Sequence, residues 1–94
     1  MRISTVLLIG ALAFSSCSHF AKVLKSNDYD YKLRMADKYY ADKDYNHAQQ
    51  LFEELFRVFK GSVHFEDIYY KFAYCAYYLR DFSNAENRFK GFVE

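Results

Sequence analysis

The chain has 94 residues, with 13 basic against 12 acidic side chains and a formal charge of +1 at pH 7; so even a balance excludes a nucleic-acid protein built on a basic face. It contains no proline and only three glycines, yet 10 tyrosines and 10 phenylalanines. Few turn-forming residues among many helix-compatible ones point to an all-α domain, with abundant ring area for a core or a recognition face.

Arg2 precedes Ile3 to Phe14, a largely apolar run of 12 residues. A bilayer-spanning helix needs roughly 20 apolar residues, so the run reads instead as the core of a secretory signal peptide. Next comes Phe14-Ser15-Ser16-Cys17: a large apolar residue, two small ones and a cysteine. This resembles the lipobox of bacterial lipoproteins, in which leucine more often stands where Phe14 does. The resemblance implies cleavage between Ser16 and Cys17 and a covalent lipid on Cys17, which holds a protein firmly on a membrane once two or more acyl chains are present. A Cys17–Cys75 disulfide is the other use open to the two cysteines in an oxidising compartment. His19, His47 and His64 are too scattered for a metal site. With Cys17 lipidated, Cys75 is expected to be a small buried hydrophobe. Residues 1–16 are thus the signal peptide and 17–28 the lipidated terminus and linker. The 78 residues left after cleavage hold all 12 acidic and 12 of the basic side chains, and are formally neutral.

Helices are predicted near 29–41, 45–60, 65–79 and 82–94, separated by turns at Asp42-Lys43-Asp44 and Arg80-Asp81. Asp44 and Asp81 are the expected N-terminal caps of the second and fourth. Lys43-Asp44-Tyr45-Asn46-His47-Ala48, with Phe52 four residues on, recurs as Arg80-Asp81-Phe82-Ser83-Asn84-Ala85, with Phe89 four residues on, an offset of 37. Met35-Ala36 and Phe72-Ala73 precede the two copies at matching distance. This pattern resembles the tetratricopeptide repeat. The resemblance implies an α-solenoid of helical hairpins, here repeat 1 at 29–62 and a truncated repeat 2 at 63–94. Ala36, Ala48, Ala73 and Ala85 are small where paired helices approach, and Phe52 and Phe89 fill the space between repeats. Tyr39 keeps the usual aromatic place, which Ala76 takes in repeat 2. Lys32 stands where the pattern has tryptophan; Tyr69 fills that place in repeat 2. Lys60-Gly61 supplies a glycine helix stop, and the connection over 61–67 is about three residues longer than standard for this repeat.

No phosphate loop, H-E-x-x-H pair or nucleophile elbow occurs in the sequence, and Glu53-Glu54 and Glu66-Asp67 read as solvated surface. An enzyme is not expected, nor any cofactor beyond the lipid on Cys17. In repeats of this kind the first helix of each pair lines the concave face. Helical spacing places Leu33, Asp37 and Tyr40 there from repeat 1, and Asp67, Tyr70, Tyr74, Tyr77 and Tyr78 from repeat 2. These rings form a groove for an extended peptide with aromatic side chains, or they pack against a further repeat.

The lipobox, a short basic linker containing Lys22 and Lys25, and the repeats through Ala48-Gln49-Gln50-Leu51-Phe52 and Phe82 to Phe92 occur in the order of the BamD family. These are lipoproteins of the outer-membrane β-barrel assembly machinery, and the likeness is to their Bacteroidetes-type members. The resemblance implies a non-enzymatic scaffold with a BamA-like barrel and POTRA subunit as partner and unfolded outer-membrane proteins as clients. By analogy with lipoprotein sorting, Ser18 and His19 after the cysteine imply an outer-membrane lipoprotein on the periplasmic face. A SusD-type glycan-uptake lipoprotein, with tyrosines stacked on sugars, and a generic periplasmic repeat adaptor are the competing readings.

Overall fold

The computed structural model describes residues 19–93, with only the backbone at Val93. Residues 1–16, expected to be a signal peptide, and Cys17 lie outside the described residues. Five helices follow in order: α1, described over 19–25, α2 (Tyr29–Ala41), α3 (Tyr45–Val58), α4 (Phe65–Tyr78) and α5 (Phe82–Val93). No strand occurs among the described residues. Each helix from α2 onward packs on the next, so that α2–α3 and α4–α5 are two stacked helical hairpins. The fold is all-α and of the repeat-hairpin type, as the 37-residue offset predicts.

The same turn is built twice. The N–H of Asp44 donates to the carbonyl of Tyr39 (2.8 Å) and that of Lys43 to Tyr40 (3.1 Å). One repeat on, Asp81 donates to Ala76 (2.9 Å) and Arg80 to Tyr77 (3.0 Å). This paired bonding is a Schellman motif, and it holds Lys43 and Arg80 at φ 63°. Each aspartate then turns from closing one helix to opening the next. Asp44 Oδ1 accepts from the N–H of His47 and Asp81 Oδ1 from that of Asn84, both at 3.4 Å. Asp28 caps α2 in the same way, through the N–H of Tyr31 at 3.1 Å. The longer connection after α3 reverses at Gly61, whose φ of +86° suits a residue without Cβ.

Ala36, Ala48, Leu51, Phe52, Leu55, Ile68, Ala73, Cys75 and Ala76 are fully buried between the hairpins, and Ala85 nearly so. The four repeat alanines thus sit where backbones approach. Burying each large aliphatic or aromatic side chain contributes about 1.5–3 kcal/mol.

Within the segment expected to be the lipidated terminus and linker, residues 19–25 form a helix that belongs to the core. Phe20 and Val23, one turn apart, are buried against the first hairpin. Phe20 stacks on His47 (centroids 4.1 Å apart) and meets Tyr39 edge-on at 5.8 Å. Lys32, which replaces the pattern's tryptophan, is 1% exposed. Its Nζ donates to the Leu24 carbonyl at the end of α1 (2.6 Å) and to Glu54 Oε2 on α3 (3.0 Å). One ammonium thereby joins three helices.

Candidate functional site

The face formed by α2 and α4 is built from α2, whose first turn Asp28 caps, from α4, which starts at Phe65 without a side-chain cap, and from the alanines that bring the hairpins together. Asp37 and Tyr40 project from α2; Asp67, Tyr70, Tyr74 and Tyr78 recur every three or four residues along α4. The structure brings these residues together. Tyr70 and Tyr74 lie 4.6 Å apart between centroids, Tyr74 and Tyr78 5.7 Å, and Tyr78 and Tyr40 6.4 Å across the helix pair. Tyr70 and Tyr78 are each 47% exposed. Leu33 is half-buried and packs against the core.

Tyr77 has a different place. It meets Phe82 of α5 edge-on at 5.8 Å, the relation that Tyr40 has with Tyr45 one repeat earlier at 5.5 Å. In repeat 1 this pair is covered by Tyr78, stacked on Tyr45 at 4.6 Å and 18°. In repeat 2 Phe82 remains exposed. Tyr77 is therefore the repeat equivalent of Tyr40 and pairs with Phe82, while Tyr70, Tyr74 and Tyr78 form the ladder along α4.

Two contributors escape a reading of the first helices alone. Tyr45, from α3, closes the ladder at one end, and Phe89, from α5, supports Tyr74 edge-on at 5.0 Å. Their signal is the repeat register itself, since both follow the Asp that opens a second helix. The third addition is Lys71. Its Nζ lies 3.0 Å from Asp37 Oδ1 and 3.0 Å from Asp67 Oδ2, and 5.8 Å from the Tyr40 ring centroid. Partial burial opposes its charge, yet the two carboxylates outweigh that and hold its pKa above the ordinary lysine value. The face thus carries a fixed charge cluster beside a run of rings.

Burial pushes the Tyr40 phenol up, with further raising from Tyr78 and Cys75. The Tyr70 phenol is raised first by its hydrogen bond with Tyr74. Cys75, directly behind the ladder, is a buried free thiol pushed up to about 12 by desolvation, so it stays a thiol at neutral pH. On the opposite side of α4, Arg88 Nη1 donates to the Phe72 carbonyl (3.0 Å) and to Gln49 Oε1 (3.1 Å), with its guanidinium 3.8 Å above the Phe72 ring centroid. That clasp fixes α4 against both α3 and α5, and so fixes the ladder.

No group of three or more metal-ligating side chains occurs among the described residues. Among the same residues no helix is long and apolar enough to cross a membrane. What the arrangement offers chemically is contact area: tyrosine rings tilted by 32° to 54° along α4, with hydroxyls at their tips. No protein-family model, curated protein or solved structure matches this chain.

Proposed function

We propose that this chain is a membrane-tethered, non-enzymatic helical scaffold that captures aromatic-bearing segments of other polypeptides. Its resemblance to the BamD family makes unfolded outer-membrane proteins the clients and a BamA-like barrel and POTRA subunit the partner. A lipid on Cys17 would hold it at the periplasmic face of the outer membrane. The observation that carries the reading is the ladder of Tyr70, Tyr74 and Tyr78 along α4, met across the helix pair by Tyr40 of α2, with Tyr70 and Tyr78 half-exposed. Tyrosines suit such a task because each buries large area with few rotatable bonds and keeps a polar tip. The ring angles favour a peptide over a glycan. Tyr70 stands at 54° to Tyr74 and Tyr74 at 32° to Tyr78, so no two neighbouring rings of the ladder are coplanar, and one face of Tyr78 is covered by Tyr45. Clefts between tilted rings accept side chains, whereas a sugar needs a flat, open ring face.

The test is in-cell photo-crosslinking from a benzoylphenylalanine at position 70 of the full chain, with captured partners identified by mass spectrometry. Outer-membrane barrel proteins caught through their strands are the expected result. Capture of a sugar transporter would favour the glycan-uptake reading, and an absence of any crosslink would overturn the capture role.

A further inference from the structure

The charge cluster beside the tyrosine ladder bears on what the ladder holds. Segments recognised by a free C-terminal carboxylate need an unshared cation or a nest of backbone N–H groups to receive it. The cation within the ladder face is Lys71, and its ammonium is already divided between Asp37 and Asp67. Arg34, which occupies the same repeat position on α2, lies over the Tyr31 ring, 5.9 Å from its centroid. The carboxylates are the more accessible partners of the cluster: the Asp37 side chain is 43% exposed and that of Asp67 60%, against 25% for Lys71. With one cation between two acids, the cluster is one negative charge in excess. Beyond it lie the faces of Tyr70 and Tyr78, and ring faces attract ammonium and guanidinium groups.

We infer that the ladder selects a peptide segment in which aromatic residues alternate with lysine or arginine, and discriminates against acidic segments and against a free terminal carboxylate. The inference rests on the capture role proposed above and names the chemistry of what is captured. An aromatic side chain enters between the tilted rings, and a neighbouring cation reaches Asp67 or Asp37 on the exposed side of Lys71.

The chain contains no tryptophan, so tryptophan emission reports a bound peptide alone. The probes are three peptides of equal length, each with one tryptophan and one phenylalanine. One is blocked at both ends and carries two lysines, one is blocked and carries two glutamates, and one has no charged side chain, a blocked N-terminus and a free C-terminal carboxylate. Each is titrated with the full chain in detergent micelles at low ionic strength. The expected order is lysine peptide tightest, by roughly three- to tenfold over either of the others, since pairs this exposed are individually weak. The advantage should shrink as salt is raised and vanish in the Asp37→Asn, Asp67→Asn double variant, in which Lys71 is left unshared and the free-carboxylate peptide should bind more tightly than it does to the unchanged chain. Equal affinities, or a preference for the glutamate or free-carboxylate peptide, would overturn the charge selection and leave the capture role standing. If none of the three peptides binds, both fall.

Discussion

At the scale of single residues, the least ordinary side chain is Lys32. A buried ammonium is costly to desolvate, and here the cost is met by two oxygens at hydrogen-bond distance. Replacing it with methionine keeps the stem's packing but leaves the Leu24 carbonyl without its donor, while Glu54, 39% exposed, stays solvated. Lys32→Met should therefore cost about 1.5–3 kcal/mol, as for a hydrogen bond to a charged group. The loss should concentrate in α1, so that amide exchange in residues 19–25 accelerates more than in α2 to α5. Cys75 and Tyr40 supply a second prediction, in pH. Both groups hold their proton longer in the folded chain than in the unfolded one, because burial disfavours the anion. Above their ordinary values the folded state therefore binds more protons, and stability falls as pH rises. The contribution of Cys75 is complete below pH 9.0 and is lost between there and about 12; that of Tyr40 begins to fall above 10. Urea melts stepped from neutral to alkaline pH should be flat at first and then decline. Cys75→Ala should remove the earliest part of the decline, even though its overall stability is lower.

At the scale of elements, the repeated turn joins sequence to structure most directly. A basic residue, then Asp, then an aromatic marks both turns inside the hairpins, from α2 to α3 and from α4 to α5. The side chains that cap are also the residues that recur, which is why helix limits lie within two residues of expectation. The backbone at the basic residue is less favourable. Lys43 and Arg80 both sit at φ 63°, where a side chain costs roughly 1–2 kcal/mol relative to glycine. Lys43→Gly and Arg80→Gly should each stabilise the chain by about 0.5–1 kcal/mol, the relief exceeding the added freedom of the unfolded chain; thermal melts of the two variants check this. The helix α1 was not legible for an equally physical reason. Its described part spans seven residues, of which only Phe20 and Val23 are buried. Four apolar residues in a row broken only by Lys22, of which two are buried, do not set a helical period. The partner that stabilises it, Lys32, reads from sequence as a departure from the repeat. The candidate face divides likewise. Spacing alone placed Tyr70, Tyr74 and Tyr78 on one stripe, but the separate role of Tyr77 and the two bridges of Lys71 depend on helix-to-helix geometry.

At the scale of the whole molecule, the two hairpins are alike in construction and unlike in cover. Phe52 and Phe89 occupy one repeat position, yet Phe52 is fully buried between hairpins and Phe89 only half so. Phe52→Ala should cost about 3–5 kcal/mol, while Phe89→Ala should cost about 1–2 kcal/mol in proportion to its burial. Paired denaturant titrations would check the difference; equal losses would mean that the second hairpin is held as tightly as the first. The same asymmetry gives α1 a mechanical meaning. An unstructured tether over 18–28 would let the first hairpin wander by about 18 Å around its attachment point, by the scaling for flexible chains. With Phe20 stacked on His47 and Lys32 holding the end of α1, that freedom is withdrawn. If Cys17 carries a lipid, the helix beginning by residue 19 is a rigid strut. The tyrosine face would then meet passing chains at one height above the bilayer and in one orientation, as a reading head on a fixed arm does.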